Sequence, residues 1–77
     1  MEFRALAKLE HILKLVGQRI AYYRKQKGLN QSQLANLLDK DRQVIQRLET
    51  GKVNPTVKTL HELAEVLDIE LTDLLIK

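Results

Sequence analysis

Arg42, Gln43, Gln46 and Arg47 carry the chemistry of this chain. The planar fork of Arg matches O6 and N7 of guanine, and the Gln amide matches N6 and N7 of adenine, on edges open in the major groove of DNA. On an ideal helix with Arg42 at zero, Gln46 falls at about 40°, Gln43 at about 100° and Arg47 at about 140°. Val44, Leu48 and Ile45 take about 200°, 240° and 300°, and so form an opposite, apolar arc. An ordinary amphipathic surface helix has the same periodicity. The polar arc, however, holds neither Glu nor Lys, the usual occupants of a face that only has to be soluble. The turn before it, Asp39-Lys40, is too short for an antiparallel pair of helices and suits a steep crossing.

The elements that must position this face are helical throughout, since no stretch alternates with period two over the length of a strand. A first helix begins within residues 2 to 15 and runs through Lys27, with Val16, Ile20 and Tyr23 on one stripe. Gly28 follows its basic last turn, where a left-handed residue belongs. Asn30 caps a second helix, about 31–38, with Leu34, Ala35 and Leu38 inward. Asp41 caps a third, about 42–50, and Gly51 ends it. Asn54-Pro55 is a turn, because the residue before proline avoids the helical region. Thr56 caps a fourth helix, about 57–67, with Val57, Leu60, Leu63, Ala64 and Leu67 inward. A last short helix spans about 71–76, capped by Glu70 or Thr72. The fold class is all-α, with five helices.

Seventy-seven residues make one small domain, which buries only about 60% of the surface its unfolded chain exposes. Without cysteine there is neither a disulfide framework nor a thiolate metal site. No signal peptide and no membrane span are visible, so a cytoplasmic protein is expected. The net charge of +3 is unevenly spread. Residues 15–55 hold eight Lys and Arg against three acids, residues 56–77 hold two against five, and residues 1–14 hold three against two. The cations thus gather around the 31–50 segment, as a phosphate-facing surface requires. Catalysis has no support. His11 and His61 lie far apart in sequence, and neither paired carboxylates nor a Gly-rich phosphate loop accompany them. No cofactor and no metal are expected.

These residues resemble the helix-turn-helix domain of the phage repressor and Cro type, also called XRE-like. The resemblance rests on Gly17-Gln18-Arg19-Ile20, Arg24 to Leu29, Asn30-Gln31-Ser32-Gln33-Leu34-Ala35, Leu48-Glu49-Thr50-Gly51-Lys52, Asn54-Pro55-Thr56, Leu60, Leu63-Ala64, Leu67 and Leu71 to Leu75. It covers about residues 15 to 76; each piece is weak alone, and their order and spacing are specific. It implies a five-helix repressor-like fold with the third helix in the major groove. It also implies that Gln43 and Arg47, with Arg42 and Gln46 beside them, contact bases. Asn30, Gln31, Lys52 and Asn54 then contact phosphates. Arg24 and Glu49 stand where some members hold an ion pair between the first and third helices. One departure is Asp39, where the family usually has glycine in the turn; Asp tolerates the left-handed conformation at some cost.

Residues 1–14 form an N-terminal helical extension outside the 15–77 domain. Leu6, Leu9, Leu13, Val16, Ile20 and Tyr23 repeat at spacings of three and four, a heptad-like seam that Gly17 interrupts. Its readings are a dimerising helix, an extra turn or two folded back on the domain, or a frayed end. Phe3 and Tyr22 are candidate contacts. The whole reads as a sequence-specific DNA-binding regulator, a repressor, acting as a homodimer on a pseudo-palindromic operator, because one helix reads too few base pairs alone. Two alternatives stand beside it. One is the antitoxin of a toxin–antitoxin pair, covering its toxin through an apolar segment such as residues 1–14. The other is a helix-turn-helix fold used only for protein contacts.

Overall fold

The computed structural model describes residues 2–75, with side chains from Ala7 onward. Five helices follow one another: α1 (Glu2–Gln26), α2 (Gln31–Leu37), α3 (Arg42–Glu49), α4 (Val57–Leu67) and α5 (Thr72–Leu75). No strand is present among the described residues. The expected ends of the second and third helices, Leu38 and Thr50, are their C-caps instead. The last helix starts at Thr72, not Leu71, and the expected Ile76 lies outside the described residues.

The first four helices end in the same way. After α1, Leu29 N–H donates to Arg24 O and Gly28 N–H to Lys25 O. The same pair of bonds closes α2 (Lys40 to Ala35, Asp39 to Asn36), α3 (Lys52 to Arg47, Gly51 to Leu48) and α4 (Ile69 to Ala64, Asp68 to Glu65). This is the Schellman motif, and it requires one left-handed residue. Those residues are Gly28, Asp39, Gly51 and Asp68, with φ of 74°, 56°, 73° and 60°. Asp39 therefore takes the conformation glycine would take, as the turn demands. The end of α4 at Leu67 falls where the sequence places it, and the left-handed residue that closes it is an aspartate, Asp68, not a glycine.

The starts are capped less uniformly. Asn30 and Gln33 form a capping box: Gln33 N–H donates to Asn30 Oδ1 at 2.7 Å, and Asn30 N–H to Gln33 Oε1 at 2.8 Å. Thr56 Oγ1 accepts from Thr59 N–H at the start of α4. Asp41 occupies the N-cap of α3 in extended backbone, but its side chain makes no capping bond. Neither Glu70 nor Thr72 caps α5; the Asp73 carboxylate accepts the Glu70 N–H at 3.0 Å.

One core joins the helices. Val16 and Ile20 of α1, Leu34 and Ala35 of α2, Ile45 and Leu48 of α3, Leu60, Leu63 and Leu67 of α4, and Leu74 of α5 bury together. Tyr23, Leu29 and Leu38 pack at its margin. Val57, expected inward, is 71% exposed. It is the first residue of α4, about 70° from the centre of the buried stripe, where the helix has not yet reached the core.

α1 is about 37 Å long at 1.5 Å per residue and sets the 40 Å long dimension of the molecule. It crosses the end of α3 at very short range. A Cβ on Gly17 would stand 2.5 Å from the carbonyl oxygens of Leu48 and Glu49. One turn earlier, a Cβ on Gly51 would stand 2.9 Å from the Lys14 backbone. Gly17 is thus the crossing point of α1 over α3, not a defect in the seam. The seam itself divides there: Val16 and Ile20 are spent on the chain's own core, while Leu9 is exposed and Leu13 half-buried. The side chains of Phe3 and Leu6 lie outside the described ones.

Two substitutions test this architecture by urea unfolding. Gly17→Ala should destabilise by about 1–3 kcal/mol through overpacking against backbone, although alanine is the better helix former; a gain in stability would contradict the contact. Asp39→Gly should stabilise by about 0.5–1 kcal/mol by relieving the left-handed aspartate.

Candidate nucleic-acid interface

α3 presents its polar arc to solvent. Ile45 and Leu48 are fully inside, and on the far side Arg42, Gln43 and Arg47 are exposed while Gln46 is half-buried. All four expected base-contacting residues therefore share one accessible surface. Val44, assigned to the apolar arc, is 38% exposed at the edge of that surface beside Arg47. Periodicity put it at about 200°, on the boundary between the arcs, and burial alone decides which side it joins. An exposed valine there offers the apolar contact that fits a thymine methyl group.

The helix is fixed from behind by a buried ion pair. Arg24 Nε donates to Glu49 Oε2 at 2.6 Å and Nη2 to Oε1 at 3.0 Å, a two-point fork. The Arg24 and Glu49 side chains are only 10% and 6% exposed. The remaining Arg24 nitrogen donates to Leu29 O at 2.9 Å, tying the α1–α2 link into the same cluster. Gln31 completes it, its Nε2 donating to Glu49 Oε1 at 2.9 Å. No buried side-chain nitrogen or oxygen is left unpaired among the described residues. The ion pair between the first and third helices is present as the resemblance implied, and it reaches one residue further, to Gln31.

That extension bears on the expected phosphate contacts. A Gln amide nitrogen has two N–H donors; one is spent on Glu49, which aims the other. Gln31, Asn30, Ser32 and Arg42 line a polar cleft of about 370 Å³ between the starts of α2 and α3, with Arg24 at its floor. Asn30 reaches it with its capping oxygen already engaged. Ser32 was not singled out from sequence; its place as second residue of α2 was the available signal. Lys52 and Asn54 are exposed, past the end of α3.

Charge follows the same surface. Among the described residues the ion pairs are Arg24–Glu49 and an exposed His61–Glu65 contact at 3.5 Å. Arg19 is turned away, its Nη1 donating to Asp73 O at 3.1 Å. Lys25, Lys27, Lys40, Arg42, Arg47 and Lys52 thus have no carboxylate partner within the described residues. No group of three potential metal ligands occurs among them, and no helix there is long and apolar enough to cross a membrane.

Two short helices crossing through a tight turn, the second fixed at its base and bare on its polar face, define a helix-turn-helix protein. The sequence pattern of the helix-turn-helix family matches residues 20–74. The chain belongs to this family, in its phage repressor and Cro or XRE-like branch of DNA-binding transcriptional regulators. It is 41% identical over 61 residues to the helix-turn-helix-type transcriptional regulator y4dJ of Sinorhizobium fredii, covering 79% of each chain. It is 34% identical over 62 residues to the transcriptional regulator SinR of Bacillus subtilis, where 79% of this chain spans 56% of that protein. In three dimensions it is similar to the restriction-modification controller protein C.AhdI of Aeromonas hydrophila, with a TM-score of 0.80 and 37% identity over 84% of this chain and 94% of that one. A hypothetical transcription factor from Neisseria, NHTF, superposes with a TM-score of 0.79 at 25% identity, over 87% and 78% of the two chains.

Glu49→Ala should cost about 3–5 kcal/mol, because it leaves Arg24 buried without its counter-charge. Replacing both partners by apolar residues (Arg24→Met with Glu49→Leu) should cost less than the sum of the single changes. Additive losses in thermal or urea unfolding would show that the two charges act separately.

Proposed function

We propose that this protein is a repressor that binds a pseudo-palindromic operator as a homodimer, with α3 in the major groove. The observation that carries this reading is the α3 face itself. Four side chains suited to base edges are accessible there, and the cations around them have no carboxylate partner among the described residues. Gln43 and Arg47 are the principal base readers, with Arg42 and Gln46 beside them. Asn30, Gln31, Lys52 and Asn54 hold the phosphates that flank the groove. Gln31 does so with the N–H that Glu49 leaves free, a rigid contact that sets the depth of α3.

A helix of this length reaches only a few base pairs, so specificity calls for two copies on half-sites about one helical turn apart. In this reading the protein works in the cytoplasm, is no enzyme and needs no cofactor: its function is occupancy of a site. Residues 15–77 are the reading domain and residues 1–14 an accessory extension.

Arg47→Ala should lose about 1–3 kcal/mol on the preferred duplex and relax preference at one base position, whereas Gln31→Ala should weaken all sequences alike. Titration against specific and scrambled duplexes separates the two. Equal losses on every duplex from both variants would overturn the assignment of α3 to base reading.

A further inference from the structure

One apolar side chain of α3 is left outside the core. Ile45 and Leu48 are buried, whereas Val44 is 38% exposed. It belongs neither to the buried cluster nor to the half-buried side chains packed at its margin. Among the described residues it is the only large hydrophobic exposed on α3. Valine there does not serve the helix either, since a β-branched side chain loses freedom in a helix and forms one less readily than alanine. A face that only had to be wetted would carry a polar residue at this place.

Its neighbours are the side chains suited to base edges. Val44 lies about 60° around the helix from Arg47, at i and i+3, so their Cβ atoms are about 5–6 Å apart. Gln43 directly precedes it. Arg and Gln reach polar purine atoms across several rotatable bonds. Valine is short and held almost wholly in one χ1 rotamer in a helix. It therefore suits a group that is apolar and stands out from the base edge. The major groove offers one such group, the methyl on C5 of thymine. Cytosine has a hydrogen at that place, and 5-methylcytosine carries the same methyl there. A purine acceptor such as N7, covered by valine, would lose water without gaining a hydrogen bond. The side chain thus favours a methylated pyrimidine and disfavours a purine at one position.

We infer that Val44 reads the C5-methyl group of a pyrimidine in the major groove, so that binding depends on that methyl and not only on which base pair is present. Resting on the base-reading role of α3 proposed above, this contact adds an apolar element to the polar ones. Two bases carry the group: thymine always, cytosine after methylation at C5. The same contact makes the protein sensitive to cytosine methylation at the position Val44 meets.

Uracil pairs as thymine does and lacks only the methyl, so it isolates the contact. A duplex selected by the native chain from a random library is resynthesised with uracil for thymine, one position at a time, and titrated. Uracil at the position Val44 meets should weaken binding about fourfold per methyl, the worth of one buried group of that size. Val44→Ala, which favours the helix and removes nothing from the buried core, should bind the thymine and uracil duplexes alike. Cytosine and 5-methylcytosine at the same position separate the methyl from the base that carries it. Methylation should strengthen binding by the native chain by about the same factor and leave Val44→Ala unmoved. Full affinity with uracil at every position overturns the contact, and this series needs only the native chain. A uracil loss that Val44→Ala retains in full overturns it too, since another side chain then meets the methyl. Either result leaves base reading by α3 standing. A gain from uracil replacement that is lost in Val44→Ala, or no gain from cytosine methylation, overturns the methyl dependence. A native chain that selects no duplex overturns base reading and this contact with it.

Discussion

The buried pair of Arg24 and Glu49 is the interaction on which the rest depends. An α3 of eight residues has too little length to hold itself, since isolated helices below about 12 residues are marginal in water. Its position must come from what it packs on. Ile45 and Leu48 supply the apolar grip, which is strong but tolerant in direction. The two-point fork from Arg24 supplies direction, because a planar guanidinium meets a carboxylate in few ways. Glu49 passes that constraint to Gln31, so the first residue of α2 and the last residue of α3 are set by one carboxylate. Close approach of α1 is the companion requirement, and Gly17 allows it by having no side chain to put between the helices.

A second economy lies in the turns. Four helices stop with one hydrogen-bond motif, and each stop sets the angle of the next helix. Gly28 and Gly51 do this freely, Asp39 and Asp68 at a small cost in strain. The aspartate at 39 sits in the link between α2 and α3. The turn there keeps the geometry of a glycine turn with a negatively charged residue in it, and that charge lies next to Lys40 and Arg42 in sequence.

Much of this was legible in the residues. Periodicity and caps located α2, α3 and α4 to within a residue and left the start of α1 open between residues 2 and 15, and the solvent-facing polar arc of α3 followed from angular position alone. What escaped had physical causes. Val57 has the right spacing for the α4 stripe, yet the first turn of a helix can stand clear of the core, which only packing determines. Val44 lies on the border between two arcs. Gly17 looked like a break in a heptad seam because sequence cannot show which backbone passes over it. The capture of Gln31 by Glu49 joins residues eighteen positions apart, and no local pattern encodes it. The seam on α1 was real as a pattern and divided in use: Val16 and Ile20 serve the chain's own core, while Leu9 is exposed and Leu13 half-buried.

Reading of base sequence by the exposed face of α3 is open to direct test. The measurement that meets it most directly is selection of bound duplexes from a random library at about 0.15 M salt, near physiological ionic strength, followed by sequencing. An enriched motif with twofold symmetry, its half-sites about one helical turn apart, is the expected result. Recovery of all sequences in equal measure by a folded protein would contradict it.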